Sequence, residues 1–138
     1  MCRNIERKSV TLVELMIAVV IILIAMVSLV SAFTASFSLA AQAQELSIAT
    51  DDLEDTLEYI RTLPFSDITD PSDGGFNDGG TVNQTVIGGF LLENEVITVS
   101  YPQGVSVDPL AIQLVVTWNG RYGRNSSLTF RTARASGL

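Results

Sequence analysis

The residue types that usually carry catalysis or bind metals are scarce in this chain. Among its 138 residues there is no histidine, and the single cysteine is Cys2. An intramolecular disulfide, a Cys/His zinc site and a Cys–His nucleophile pair are therefore excluded, and a serine hydrolase triad would lack its usual base. We expect no catalytic residues and no cofactor, and the sequence argues against an enzyme.

Glu14 is the residue whose position most needs a chemical reason. From Leu15 to Gln44 the chain contains no Asp, Glu, Lys or Arg, and Glu14 stands directly before that run. A charged side chain at the centre of a bilayer costs about 2.5 kcal/mol or more, although less near an interface. The simplest explanation places Glu14 among the lipid headgroups, where the positive end of the helix dipole favours it.

The run after Glu14 is long enough to cross a membrane. Its most apolar part, residues 15–33, contains twelve Leu, Ile, Val or Phe residues. At about 1.5 Å per residue, it matches a hydrocarbon core of about 30 Å. Arg3, Arg7 and Lys8 precede the run, so the positive-inside rule predicts a cytoplasmic N-terminus and an exported remainder. The sequence predicts a single-pass protein of the inner (cytoplasmic) membrane with a periplasmic or extracellular C-terminal domain.

The string SVTLVELMIAV at residues 9–19 resembles the class III leader junction of type IV prepilins and type II secretion pseudopilins. The resemblance implies a leader at residues 1–9, cut between Ser9 and Val10 by a prepilin peptidase that then methylates Val10. It also implies that Glu14 pairs with the N-terminal amine of a neighbouring subunit and sets the axial register, since a paired buried charge costs less than a lone one. Two positions depart from the family pattern. Ser9 stands where Gly is usual, and Val10 where Phe or Met is usual.

A different processing site competes with this interpretation. Ala41, Gln42 and Ala43 form an A-x-A pattern, after which an ordinary signal peptidase would release a soluble protein starting at Gln44. The apolar run exceeds the usual signal-peptide core of about 7–15 residues, and an acid such as Glu14 is out of place in such a core. We therefore prefer the interpretation in which the apolar run stays in the protein as a membrane anchor.

One long helix is predicted from about Val10 to Leu63, because neither Gly nor Pro occurs before Pro64 in this stretch. We divide it into a membrane-spanning and filament-core part at 10–34 and an amphipathic part at 35–63. A seven-residue pattern marks the expected apolar stripe of the second part: Leu39, Leu46, Leu53 and Ile60, with Ala43, Thr50 and Leu57. A short coiled-coil seam is possible, but packing on the protein's own sheet is favoured because the pattern lasts only about three heptads. The acids are expected mostly on the solvated faces: Asp51, Asp52, Glu54, Asp55 and Glu58.

An acidic, glycine-rich loop is predicted at residues 64–80, after Pro64 ends the helix. Its aspartates raise the question of calcium: Asp67, Asp70, Asp73 and Asp78. Their spacing does not match the alternating ligands of an EF-hand, and no Glu closes the loop. We therefore expect a mobile acidic loop and no metal site.

From Thr81 the hydrophobic period changes to two, which predicts an antiparallel sheet domain at 81–138. Strands are expected at about 81–87, 91–101, 110–118 and 126–134, and Asn119 and Gly120 are expected to open the final hairpin turn. Trp118 is expected at the edge of the core. The arginines of this region either solubilise the surface or contact acidic helices of neighbouring subunits: Arg121, Arg124, Arg131 and Arg134. The fold class is α+β, with a long N-terminal helix on a small sheet, as the pilin resemblance also implies.

These observations favour a structural subunit, a minor pilin or minor pseudopilin of a type IV pilus or type II secretion pseudopilus. The C-terminal region looks similar to PilV-like minor pilins and I-type minor pseudopilins. By the resemblance Cys2 leaves with the leader, so no disulfide closes the C-terminal loop as in many major pilins. The expected partners are other pilins or pseudopilins, the prepilin peptidase and methyltransferase, and the inner-membrane assembly platform. A net charge of -7 argues against contact with nucleic acid. The alternative function is a single-pass, membrane-anchored extracytoplasmic binding protein.

Overall fold

The structure is a computed structural model that describes residues 11–83, 88 and 92–137. Several predictions made above lie outside these residues. They are the leader at 1–9, the cut between Ser9 and Val10, the methylation of Val10, and the start of the long helix at Val10. Residues 84–87 of the first predicted strand and residue 91 of the second also lie outside them. The chain divides into two compact units, residues 1–40 and residues 41–138.

Helix α1 spans Leu12–Thr62, a length of 51 residues. The absence of Gly and Pro allows its length, and Pro64 explains its end, because the residue before a proline is disfavoured in helical conformation. Leu63, the residue before Pro64, is accordingly outside the helix. The predicted long helix is therefore confirmed over the described residues, with its C-terminal end displaced by one residue. The first unit contains the apolar part of α1, and the second contains the remainder together with the sheet.

Four antiparallel strands form one sheet in the order β1-β2-β3-β4: β1 Gly80–Thr81, β2 Val96–Ser100, β3 Leu110–Gly120 and β4 Arg124–Arg134. Strands β2 and β3 pair from Val96 opposite Thr117 to Ser100 opposite Gln113. Strands β3 and β4 pair over their full length. The predicted α+β class is confirmed.

The core lies between the outer part of α1 and one face of the sheet. Side chains on β3 alternate as predicted, with Ile112, Leu114, Val116 and Trp118 each at most 4% exposed. From α1 and the other segments the buried apolar residues include Leu53, Leu57, Ile60, Ile68, Phe76, Ile97 and Val99. Phe130 lies opposite Leu114 but is 43% exposed, because β4 is the outer strand of the described sheet.

The buried stripe of α1 differs from the predicted seven-residue pattern. Leu53, Leu57 and Ile60 are buried as expected, but the other four positions are exposed: Leu39, Ala43, Leu46 and Thr50. Their places are taken by Ala49, Asp52 and Thr56. A straight α-helix repeats every 3.6 residues, so a strict seven-residue pattern drifts off the covered face. The placement of Asp52 on a solvated face was therefore wrong.

The predicted final hairpin is present, but Asn119 and Gly120, which were expected to open its turn, lie before the turn. Both residues belong to β3 and pair with Asn125 and Arg124 of β4. The chain turns instead through a short 3₁₀ segment, Arg121–Gly123. Gly123 has a φ of +69°, the left-handed conformation that closes a three-residue hairpin loop. Strand β2 is shorter than predicted, at five residues. Of the described part of the first predicted strand, Thr81 lies in β1, whereas Val82 and Asn83 do not.

Candidate assembly site

The first turn of α1 fixes the position of Glu14. The Glu14 backbone N–H donates to Thr11 Oγ1 at 3.3 Å, so Thr11 caps the helix. The spacing Thr11-x-x-Glu14 is that of an N-terminal capping box, a local signal that the sequence analysis missed. The Glu14 side chain lies on the exposed surface of the first turn, where the positive end of the helix dipole favours an anion. The structure therefore presents one carboxylate at a defined point at the head of an apolar helix.

Beyond Glu14 the surface of α1 is apolar all round. Sixteen large hydrophobic side chains between Leu12 and Phe33 are each 49–75% exposed. The most apolar 18-residue window of α1 has a mean hydropathy of 3.0, and none of it is buried. Covering these side chains is worth on the order of 20 kcal/mol in transfer free energy. Within the described part of the chain, α1 alone is long and apolar enough to cross a membrane.

Three hydroxyl groups along this apolar segment donate hydrogen bonds within the helix. Ser28 Oγ donates to the Ile24 carbonyl, and Ser36 Oγ donates to the Ala32 carbonyl, both at 2.9 Å. Thr34 Oγ1 donates to the Ser31 carbonyl at 2.9 Å. Such bonds back to the preceding turn leave these groups with no need for water. The surface is therefore compatible with lipid or with other apolar helices.

The aspartates considered as calcium ligands lie in separate surroundings and make different contacts. Asp70 caps the short 3₁₀ segment Pro71–Asp73 by accepting from the Ser72 N–H at 2.9 Å. Asp78 accepts from the Tyr101 N–H at 2.8 Å, and Asp67 accepts from Ser66 Oγ at 2.6 Å. Asp73 is exposed. Nowhere in residues 11–83, 88 and 92–137 do three or more His, Cys, Asp or Glu residues come together in a group that would hold a metal ion.

Tyr101 anchors the acidic loop to the sheet. Its side chain is 2% exposed, and its hydroxyl lies 2.9 Å from the Ile68 carbonyl oxygen and 3.0 Å from that of Phe76. Burial, followed by the charge of Asp78, raises the pKa of Tyr101 to about 12. Ile68 and Phe76 belong to the core cluster, which differs from the mobile loop predicted from composition. This anchoring could not be predicted from the sequence, because two isolated apolar residues in a Gly/Asp stretch carry no periodic signal.

The arginines of the sheet region have different surroundings. Arg134 Nη1 donates to the Ile60 carbonyl at 2.7 Å, and so satisfies a carbonyl in the last turn of α1. Arg131 is exposed as predicted, and its Nε donates to Gln113 Oε1 at 2.7 Å. Arg121 and Arg124 are exposed. The backbone N–H of Arg121 donates to Glu45 Oε1 at 3.0 Å, which ties the last hairpin to α1.

Comparison with known families bears on the N-terminal segment. Residues 6–30 match the family described as the prokaryotic N-terminal methylation motif. Searches of curated proteins and of solved structures found no match. The motif implies processing by prepilin peptidase and assembly with other pilins, and its family is a structural, non-enzymatic one. The apolar part of α1 agrees with a membrane anchor. Residues 6–30 therefore carry a prokaryotic N-terminal methylation motif, and the long helix on a small antiparallel sheet is a pilin-like arrangement.

Proposed function

We propose that this chain is a minor pilin or minor pseudopilin, assembled into a type IV pilus, a type II secretion pseudopilus or the tip complex of either. The observation that carries the proposal is the fully uncovered apolar surface of α1 with one carboxylate, Glu14, at its head. An isolated helix of this kind has to be covered by lipid or by other helices. The apolar helix of a filament subunit is covered first by lipid in the membrane and then by other helices in the filament.

Before assembly, the apolar part of α1 spans the inner membrane, with the N-terminus in the cytoplasm and the sheet domain outside. Prepilin peptidase removes residues 1–9 by cutting between Ser9 and Val10 and methylates Val10. Helices of neighbouring subunits then replace lipid around α1. Because lipid tails are as apolar as the side chains, this exchange has little hydrophobic driving force, and packing and polar contacts decide it.

Glu14 supplies the polar contact in this scheme. When α1 leaves the headgroup region, an unpaired carboxylate becomes costly. The positive amine of Val10 on an adjacent subunit offsets that cost and fixes the axial position of the incoming helix. In the mature subunit, residues 10–138 contain no cysteine, so no disulfide closes the C-terminal region. This absence favours a minor or tip position over the role of a major pilin. The partners are other pilins or pseudopilins and the inner-membrane assembly platform.

Glu14→Ala tests the proposal, with Glu54→Ala as the matched control. Glu54 is an exposed acid on the same helix but outside the apolar part. Glu14→Ala is expected to stay in the membrane fraction at the wild-type level while its amount in sheared filaments or pseudopili falls roughly tenfold or more, because the register contact is lost. Glu54→Ala is expected to match the wild type in both fractions. Wild-type incorporation of Glu14→Ala would contradict the pairing.

A further inference from the structure

Two buried carboxyl groups meet between α1 and the sheet. Asp52 belongs to α1, Glu95 directly precedes β2, and each is 6% exposed. The two side chains are hydrogen-bonded to each other. Ionised carboxyl groups have only acceptor atoms, so a hydrogen bond between two of them requires a proton on one. A hydrogen bond between Asp52 and Glu95 therefore needs one proton held by the pair.

Other contacts distinguish the two carboxyl groups. Glu95 Oε2 accepts from the Leu92 N–H at 3.1 Å, and a backbone donor of this kind stabilises the charged form of a carboxyl. Asp52 Oδ2 is buried and accepts from no N–H or O–H donor of the described residues. One proton held between the two carboxyl groups gives both side chains a role that fits their surroundings.

The charges around the pair are unfavourable to a second negative charge. Asp51 and Asp55, on the same helix, are the charged groups that act on Asp52 besides Glu95. Strands β1, β2 and β3 contain no charged residue. On β4, Arg134 donates to the Ile60 carbonyl and Arg131 to Gln113, while Arg124 is exposed. Burial raises the pKa of Asp52, the Glu95 hydrogen bond lowers it, and the charges of Asp55 and Asp51 raise it further, so that the net direction is upward.

We propose that Asp52 and Glu95 form a proton-binding site that fastens the outer part of α1 to the sheet. With one proton bound, the pair is a hydrogen bond across the seam between helix and sheet. When the proton is lost, two buried negative charges face each other and the seam is weakened. The folded unit is thereby sensitive to pH through one defined contact. This property does not depend on the proposed filament role.

The direction of the pH effect follows from linkage. The folded state binds the Asp52 proton more tightly than the unfolded chain does, so the contribution to stability is fully present below the ordinary aspartate pKa of 3.8. It is lost as the pH rises through the raised pKa of the folded state. Each unit by which that pKa is raised corresponds to about a tenfold change in the unfolding equilibrium constant.

The test is urea unfolding of the full chain in detergent micelles at a series of pH values from 5 to 9. The fluorescence of Trp118 reports unfolding, because it is the only tryptophan and is 4% exposed. The wild-type midpoint is expected to fall as the pH rises. In Asp52→Asn the amide donates to Glu95 at every pH. The urea midpoint of this variant is therefore expected to depend less on pH, and to be higher than that of the wild type at pH 9. Asp55→Asn is the matched control, because it removes a neighbouring charge and leaves the shared proton, and it is expected to keep the wild-type slope.

Equal slopes for the wild type and Asp52→Asn would overturn the proposal. A carbon-13 NMR titration of the wild-type Asp52 carboxyl gives a second test that does not depend on the folding of a variant. Its midpoint is expected above the ordinary aspartate value, and a midpoint at or below that value would overturn the proton site. A divalent cation that stabilises the wild type at pH 9, and not Asp52→Asn, would also overturn it by showing a metal in place of the proton.

Discussion

The anchoring of the acidic loop by one hydroxyl group predicts a specific cost for Tyr101→Phe. This change removes the oxygen that lies 2.9 Å from the Ile68 carbonyl oxygen and 3.0 Å from that of Phe76, and it leaves the buried ring in place. The Ile68 carbonyl keeps a partner, because it also accepts from the Phe76 N–H at 2.8 Å. The Phe76 carbonyl loses the Tyr101 hydroxyl. The variant therefore has one buried carbonyl left without this donor.

The expected loss follows from these contacts. A buried polar group left without its partner costs about 1–3 kcal/mol, and a net hydrogen bond is worth about 1 kcal/mol. We expect Tyr101→Phe to reduce the free energy of unfolding by about 2 kcal/mol, a factor of roughly 30 in the unfolding equilibrium constant. Tyr59→Phe is the matched control. Its hydroxyl donates to the Gly74 carbonyl at 2.9 Å from a half-buried side chain, so its loss is expected to cost about 0.5 kcal/mol.

Urea unfolding in micelles at pH 7, followed by Trp118 fluorescence, measures both variants. The dependence of the unfolding free energy on urea should remain unchanged, since the same surface is exposed on unfolding. If Tyr101→Phe proves no more destabilising than Tyr59→Phe, the hydroxyl does not anchor the loop, and the packing of Ile68 and Phe76 alone holds it.

Two further outcomes follow from the same region. Gly75→Ala is expected to destabilise by on the order of 3 kcal/mol, because its Cβ would collide with the backbone carbonyl oxygens of Asp67 and Ile68. In the control Gly137→Ala nothing lies within 4 Å of the added Cβ, so its free energy of unfolding should stay within about 0.5 kcal/mol of the wild type. Equal losses of unfolding free energy in the two variants would contradict the close approach of Gly75 to these carbonyl oxygens. The pKa of Tyr101 is raised from its ordinary value to about 12. The stability that its neutral hydroxyl contributes to the fold is therefore present below about pH 10 and is lost as the pH rises through 12. In urea unfolding at alkaline pH, the difference in unfolding free energy between the wild type and Tyr101→Phe should therefore shrink between those pH values. A constant difference would refute the assigned role of the Tyr101 hydroxyl.

Local patterns in the sequence were sufficient for the elements that depend on local physics. The lack of Gly and Pro before Pro64 predicted α1, and strict alternation predicted the buried face of β3. The match of residues 6–30 to a methylation motif likewise rests on a contiguous string. Such signals can be found in the sequence because the residues that produce them are neighbours in the chain.

Contacts between residues that are far apart in the chain could not be predicted from such local patterns. The sequence predicts Asp52 on a solvated face because acids are rarely buried, and its partner Glu95 is far along the chain. Composition predicts a mobile loop because Tyr101, which anchors the loop, lies outside it, directly after β2. The hairpin turn was misplaced because Asn-Gly is a strong turn signal, whereas Gly123 provides the left-handed position that the turn uses.

The N-terminus of the protein isolated from cells tests the central claim most directly. Mass spectrometry of the N-terminal peptide is predicted to show a chain that begins at Val10 and carries one methyl group on its amine. In cells lacking prepilin peptidase, the same peptide should keep residues 1–9. An unprocessed Met1 in otherwise normal cells, or a start at Gln44, would contradict the assignment of this chain as a processed filament subunit.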